Sequence, residues 1–179
     1  MYGERTLYRK VQVVLEYAKE EKHTDKESLS EYIESNKPTN FLYSWRDKKT
    51  DTVKHRYSRN SIERAIKICM DLKLLQSEKM ILTSSGKSAI DPRRFPTIIG
   101  NSAKDFLEAA GISLDSILNA IRVILHSNKP YPPTYIEIWE NLSKTEGAIS
   151  KEEFQWLLTL LGQCKILSMS QKRIFLPLF

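Results

Sequence analysis

The chain of 179 residues has few of the residue types that disulfide scaffolds, metal centres and most catalytic sites require. Its two cysteines, Cys69 and Cys164, lie far apart on apolar helical faces, so we expect reduced core thiols rather than a disulfide. The three histidines are scattered over different predicted elements and no Cys/His spacing fits zinc. We therefore expect no metal, no cofactor and no enzymatic activity.

Long apolar runs are also missing. No segment approaches transmembrane length, and the N-terminal residues Met-Tyr-Gly-Glu-Arg contain no apolar signal-peptide core. We expect a protein that binds no membrane and works either in the cytoplasm, associated with the nucleoid, or in the nucleus.

Positive charge is concentrated in the first half of the chain. The formal net charge is +6, and residues 1–97 hold 20 Lys and Arg against 14 Asp and Glu, whereas residues 98–179 hold eight of each. A basic surface confined to one half is typical of a polyanion-binding protein. The alternative is a lysine-rich surface that is merely solvated.

The most informative stretch runs from Tyr57 to Gly86 and begins with a predicted amphipathic helix, for which Ser58 is the expected N-cap. Its apolar face consists of Ile62, Ala65, Ile66, Cys69 and Leu72. Its polar face carries Arg59, Asn60, Glu63, Arg64 and Lys67. A helix with this pattern buries one side and presents a largely cationic side to solvent.

Beyond the helix, residues 76–79 predict a polar turn, residues 80–83 a short strand, and residues 84–87 a break in the chain. With the helix, the segments 71–75 and 81–87 resemble the recognition helix and wing of a winged helix-turn-helix domain. Lys73 stands where these domains often have glycine, in the turn that leads into the wing. The resemblance implies three helices, a small hairpin and binding of duplex DNA.

Two further helices are predicted upstream, over residues 6–22 and, capped by Asp25, over residues 26–35. Between them and the recognition helix, residues 36–57 are predicted to form an inserted basic hairpin or long loop, in which residues 41–46 alternate in period two. We expect its aromatic residues Phe41, Tyr43 and Trp45 to cover the core. Its basic residues either contact phosphate or are only solvated.

The second half repeats this outline. Ser102 is expected to start a short helix, and Ser113, Thr134 and Ser150 to cap three more. Two strands follow, over residues 165–169 and 173–176. We therefore predict a mainly α fold with small β-hairpins, built from two winged helices in tandem. The predicted domains are residues 1–92, a linker over 93–102, and residues 103–179.

Only the first unit is expected to bind nucleic acid, because the recognition helix of the second begins with Glu152 and Glu153, which phosphate would repel. In helix-turn-helix proteins, the N-terminal part of the recognition helix reaches base edges. The candidate base-reading residues are Arg59, Asn60, Arg64 and Lys67. The candidate phosphate-contacting residues are Arg46, Lys48, Lys49, Lys54, Arg56 and Lys79.

The neutral second unit is expected to pair with a second copy of the chain or with another protein. The candidate contact residues are Trp156, Phe175 and Phe179, although Phe175 and Phe179 alternatively complete the second core. The chain is thus predicted to be a DNA-binding protein of the kind that regulates transcription. The alternative is an adaptor or scaffold subunit with little or no direct DNA binding, an idea that depends on fold analogy alone.

Overall fold

The computed structural model describes residues 6–20, 23–47, 49–127, 131–142, 149–170 and 173–175. The fold is mainly helical with small antiparallel β-hairpins, as predicted. The chain forms two compact units, Met1–Phe95 and Pro96–Phe179.

The first unit contains four α-helices and one hairpin among its described residues. The elements are α1 (Leu7–Ala18), α2 (Lys26–Asn36), a 3-10 turn (Thr39–Phe41), β1 (Leu42–Arg46), β2 (Val53–Tyr57), α3 (Arg59–Asp71) and α4 (Ser84–Ala89). Within the segment 36–57, β1 and β2 pair as an antiparallel hairpin between α2 and α3, which favours the hairpin over the long loop.

Hydroxyl and carboxylate side chains set where these helices begin. Asp25 accepts a hydrogen bond from the backbone N–H of Ser28, and the Ser28 side chain accepts one in return from the Asp25 N–H. Ser58 accepts a hydrogen bond from the N–H of Ser61 at the start of α3. Such caps satisfy N–H groups that the first helical turn leaves unpaired, and both were predicted.

The core of the first unit lies where α3 packs against α1 and α2. The predicted apolar face of α3 is buried throughout its length, from Ile62 to Leu72. It meets a second set of buried residues, namely Val11, Val14, Leu15 and Ala18 of α1 with Leu29 and Ile33 of α2. The two helices cover one side of α3, so its polar side faces solvent.

The segment after α3 departs from the expected wing. Lys73 takes the left-handed conformation (φ 54°), which glycine adopts more easily, and turns the chain sharply. Leu75 and Leu82 then pair through an isolated bridge instead of a full strand pair. The predicted break at residues 84–87 is wrong, because Thr83 caps α4 there.

Gly86 allows α4 to pack close to this turn. A Cβ atom at this position would lie 2.1 Å from the carbonyl oxygen of Leu74, well inside any tolerated contact. Only glycine therefore fits without a backbone shift.

The second unit is helical with a terminal hairpin. Its elements are α5 (Phe95–Ala109, whose first residue belongs to the first unit), α6 (Leu114–His126), α7 (Tyr135–Leu142), α8 (Lys151–Gln163), β3 (Ser168–Ser170) and β4 (Arg173–Phe175). Ser113 and Ser150 cap α6 and α8 as predicted, and Thr134 exchanges hydrogen bonds with Glu137 at the start of α7.

The linker predicted over residues 93–102 is instead largely helical, since α5 begins at Phe95 and Ser102 lies within it. Two prolines suggested an extended segment, but Pro96 occupies the first helical turn, where its missing N–H costs nothing. The buried residues Phe95, Ile99 and Ala103 recur at helical spacing. Burial of these apolar residues therefore favours a helix here in spite of the two prolines.

Helices α5 and α6 are both rich in apolar residues. Within the described residues no single helix is long and apolar enough to cross a membrane. Taken together, α5 and α6 pass the same test of length and composition, with a bend of 81° between them.

Helices α3 and α8 correspond residue for residue. Each has 13 residues and a serine N-cap, and each is followed by a lysine in the left-handed conformation, Lys73 and Lys165. The hydrogen bonds of the turn also match, because the N–H groups of these lysines bond to the carbonyls of Met70 and Gly162. The two units therefore share one helix-and-turn motif.

Candidate nucleic-acid interface

The outer face of α3 presents a polar stripe to solvent. Asn60, Arg64 and Lys67 are all exposed and recur at helical spacing on the side away from the core. Lys67 forms an ion pair with Asp71 one turn further on, at 2.6 Å. Three of the four predicted base-reading residues therefore lie together on an accessible helix face.

Arg59, the fourth predicted residue, is already engaged within the protein. Its guanidinium donates to Glu63 and to Glu27 at 3.1 Å each, and Glu31 lies 3.9 Å away. The hydrogen bond to Glu63, reinforced by the other carboxylates, raises the pKa of Arg59. The expectation that Arg59 reads bases is corrected accordingly, since three carboxylates offset its charge and fasten α3 to α2.

The hairpin displays residues in a defined register beside α3. Tyr43 lies opposite Arg56, and Trp45 lies opposite Lys54. Phe41 is buried, as expected, but the ring of Tyr43 does not cover the core, because Tyr43 is 62% exposed. Phe41 belongs to the 3-10 turn and not to β1. The two-residue alternation of the strand therefore does not start at Phe41, and burial of Phe41 does not imply burial of Tyr43.

Two basic residues of the hairpin are paired with acidic residues of its own turn. Arg46 makes an ion pair with Asp51 at 2.7 Å, and Lys54 makes one with Asp47. The hydrogen bond from Lys54, together with one from the backbone N–H of Lys49, lowers the pKa of Asp47. Surface pairs of this kind are weak, but a phosphate has to displace Asp51 or Asp47 before it can bind Arg46 or Lys54.

The remaining predicted phosphate contacts differ in how far the structure describes them. Lys49 and Arg56 are exposed on the hairpin, and Lys79 is exposed in the turn between Leu75 and Leu82. Lys48 lies outside the described residues.

A cleft forms where the hairpin meets the N-terminus of α3. Its volume is about 680 Å³. It is lined by Glu34, Tyr43, Arg56, Tyr57, Ser58, Arg59 and Asn60. Glu34 and Tyr43 were not predicted as site residues, because Glu34 lies on α2 and Tyr43 on β1, and only the tertiary fold brings them into one cleft with Asn60.

The structure does not place the three contact residues expected in the second unit on one surface. Trp156 is only 4% exposed and packs against Phe106 of α5 with ring centroids 5.6 Å apart, so it is a core residue and cannot be a partner contact. Phe175 belongs to β4, and Phe179 lies outside the described residues.

Trp156 also explains a difference between the two units. In the correspondence of α8 with α3, Trp156 occupies the place of Arg64. At this one position, the surface that α3 leaves open to solvent is covered in α8 by Phe106 of α5.

Comparisons with protein-family models, with curated proteins and with solved structures found no match to this chain. The part of the chain that the structure describes contains no group of three or more His, Cys, Asp and Glu side chains arranged to hold a metal ion. The interface is therefore argued from its geometry and charge.

Proposed function

We propose that this protein binds duplex DNA through its first unit and that both units are winged helices. The observation that carries the proposal is the exposed stripe of Asn60, Arg64 and Lys67 on α3, next to a hairpin that displays Arg56. An α-helix fits the major groove, where arginine pairs with guanine and asparagine with adenine. Basic residues on an adjoining hairpin suit the neighbouring phosphates.

Two features support a winged-helix assignment. In the first unit, α1, α2 and α3 precede the bridge of Leu75 with Leu82, if that bridge is taken as a reduced wing, and the hairpin of β1 and β2 is inserted between α2 and α3. In the second unit, α6, α7 and α8 directly precede the hairpin of β3 and β4, and α5 is an additional helix before them. The matched lengths and turns of α3 and α8 give both units the same helix and turn before these β elements.

The second unit is proposed to make protein contacts, with a second copy or another partner, rather than to bind DNA. Glu152 and Glu153 at the start of α8 would repel phosphate. Trp156 fills the place of Arg64 and is buried. The surface through which the second unit contacts a partner therefore does not include Trp156.

The proposal is tested by fluorescence anisotropy with a labelled duplex over a range of salt concentrations. Arg64→Ala should weaken binding about tenfold and reduce discrimination between duplex sequences, because a good bidentate base contact is worth about 1–3 kcal/mol. Arg122→Ala is the matched control, since Arg122 is an exposed arginine on α6 of the second unit. Its loss removes the same charge and should leave binding nearly unchanged.

Absence of salt-sensitive binding to any duplex at low ionic strength would contradict the proposal and favour the adaptor function. Equal weakening by Arg64→Ala and Arg122→Ala would show that only net charge matters. A mass measurement in solution, with and without DNA, tests the pairing role of the second unit.

A further inference from the structure

We propose that the cleft between the hairpin and the N-terminus of α3 holds one unpaired nucleotide, so that the protein prefers DNA in which a duplex adjoins a single-stranded segment. This inference rests on the proposed function, since it assigns a more specific substrate to the same surface. It depends on the size of the cleft and on the chemistry of four lining residues, Glu34, Tyr43, Arg56 and Asn60.

The size of the cleft favours a nucleotide over a duplex. Its volume of about 680 Å³ falls within the range of sites that hold small ligands. A base within an intact duplex is stacked and paired, so it cannot enter such a cleft. A base at a junction, gap or overhang is free to turn outward.

Tyr43 supplies a stacking surface. Its ring is 62% exposed although it belongs to a strand whose backbone is fully paired with β2. Aromatic side chains on strands are the usual platforms for unpaired bases, because every base has a face that can stack. Pairing with β2 fixes the backbone position from which the ring extends.

Arg56 supplies the charge for the backbone of that nucleotide. It lies directly opposite Tyr43 in the hairpin register. Among the described residues Arg56 has no ion pair or side-chain hydrogen bond, in contrast to Arg46 and Lys54 of the same hairpin. A phosphate beside the stacked base would therefore be its first strong partner.

Asn60 and Glu34 are suited to the edge of the base. The amide of Asn60 offers both donors and an acceptor, whereas an ionised Glu34 only accepts. A carboxylate in the cleft disfavours a bare phosphate next to it and favours an exocyclic amino group. The lining thus combines a stacking ring, a cation and two base-edge groups, which together match a nucleotide better than an inorganic anion.

The test compares a blunt labelled duplex with the same duplex extended by a short single-stranded overhang, at one salt concentration. We expect the overhang to be bound about tenfold more tightly, since stacking on one aromatic ring contributes about that much. Tyr43→Ala should remove this preference while changing affinity for the blunt duplex less than about twofold. Tyr43→Phe keeps the ring and should keep the preference.

The outcomes separate this inference from the proposed function. Equal affinity of the wild type for both probes overturns the inference and leaves duplex binding intact, whereas no binding to either probe overturns both. Equal weakening on both probes by Tyr43→Ala, with an unchanged circular dichroism spectrum, also overturns the inference. If a free deoxynucleoside monophosphate removes the preference and leaves binding of the blunt duplex unchanged, the cleft is supported as the site of the unpaired nucleotide.

Discussion

Asp51 in the hairpin turn restrains Arg46, and its removal should strengthen DNA binding. The Arg46 guanidinium contacts both carboxylate oxygens of Asp51, at 2.7 Å and 2.9 Å. Asp51 also has a left-handed backbone (φ 54°), a conformation that asparagine accepts as well as aspartate does. Asp51→Asn therefore keeps the turn, removes one negative charge and leaves Arg46 available for a phosphate.

The expected size follows from counterion release. Each additional phosphate contact steepens the dependence of log K on log salt by about 0.9. The affinity of Asp51→Asn relative to wild type should then rise about threefold when salt is lowered from about 200 mM to about 50 mM. Stability should change by less than about 1 kcal/mol, because the ion pair is exposed on both sides.

Fluorescence anisotropy titrations with one duplex at several salt concentrations measure this slope. Asp105→Asn is the matched control, since Asp105 is exposed on α5 in the second unit and its loss changes the net charge equally. A gain of binding does not arise from misfolding, so the result is easily interpreted. An unchanged slope, or the same increase for Asp105→Asn, would refute the reasoning.

Three further predictions concern stability and thiol chemistry. Lys73→Gly should raise the free energy of unfolding by about 1 kcal/mol, because glycine relieves the left-handed strain, whereas Lys73→Ala should not; urea denaturation of both variants decides this. Gly86→Ala should cost about 3 kcal/mol or more, since its Cβ would meet a backbone oxygen, while Gly100→Ala meets only the end of a flexible side chain and should stay within about 1 kcal/mol. Burial raises the pKa of Cys69 and raises that of Cys164 from 9.0 to about 12, so both thiols should resist a disulfide reagent at pH 8 until the protein is denatured. The folded state retains these thiol protons more tightly, so the free energy of unfolding should be highest below about pH 9 and fall as pH rises toward 12. Rapid reaction of the thiols with the reagent in the native protein would contradict their burial.

The helices were predictable where local signals agreed. The apolar face from Ile62 to Leu72 and the cap at Ser58 placed α3 correctly, and the cap at Ser150 did the same for α8. Prediction failed where two signals competed. The apolar spacing of α5 overrode Pro96, and Thr83 started a helix where a run of serine and glycine suggested a break.

The sequence by itself determined the periodic elements, their caps and the basic character of the first half, because helix formation, capping and net charge depend on residues close together in the chain. Tertiary structure alone decided which side chains are available for a ligand. Arg59 met three carboxylates, Trp156 was buried against Phe106, and Tyr43 came to lie opposite Arg56 in an open cleft. Burial and ion pairing depend on residues brought together from different helices and strands, which no local pattern specifies.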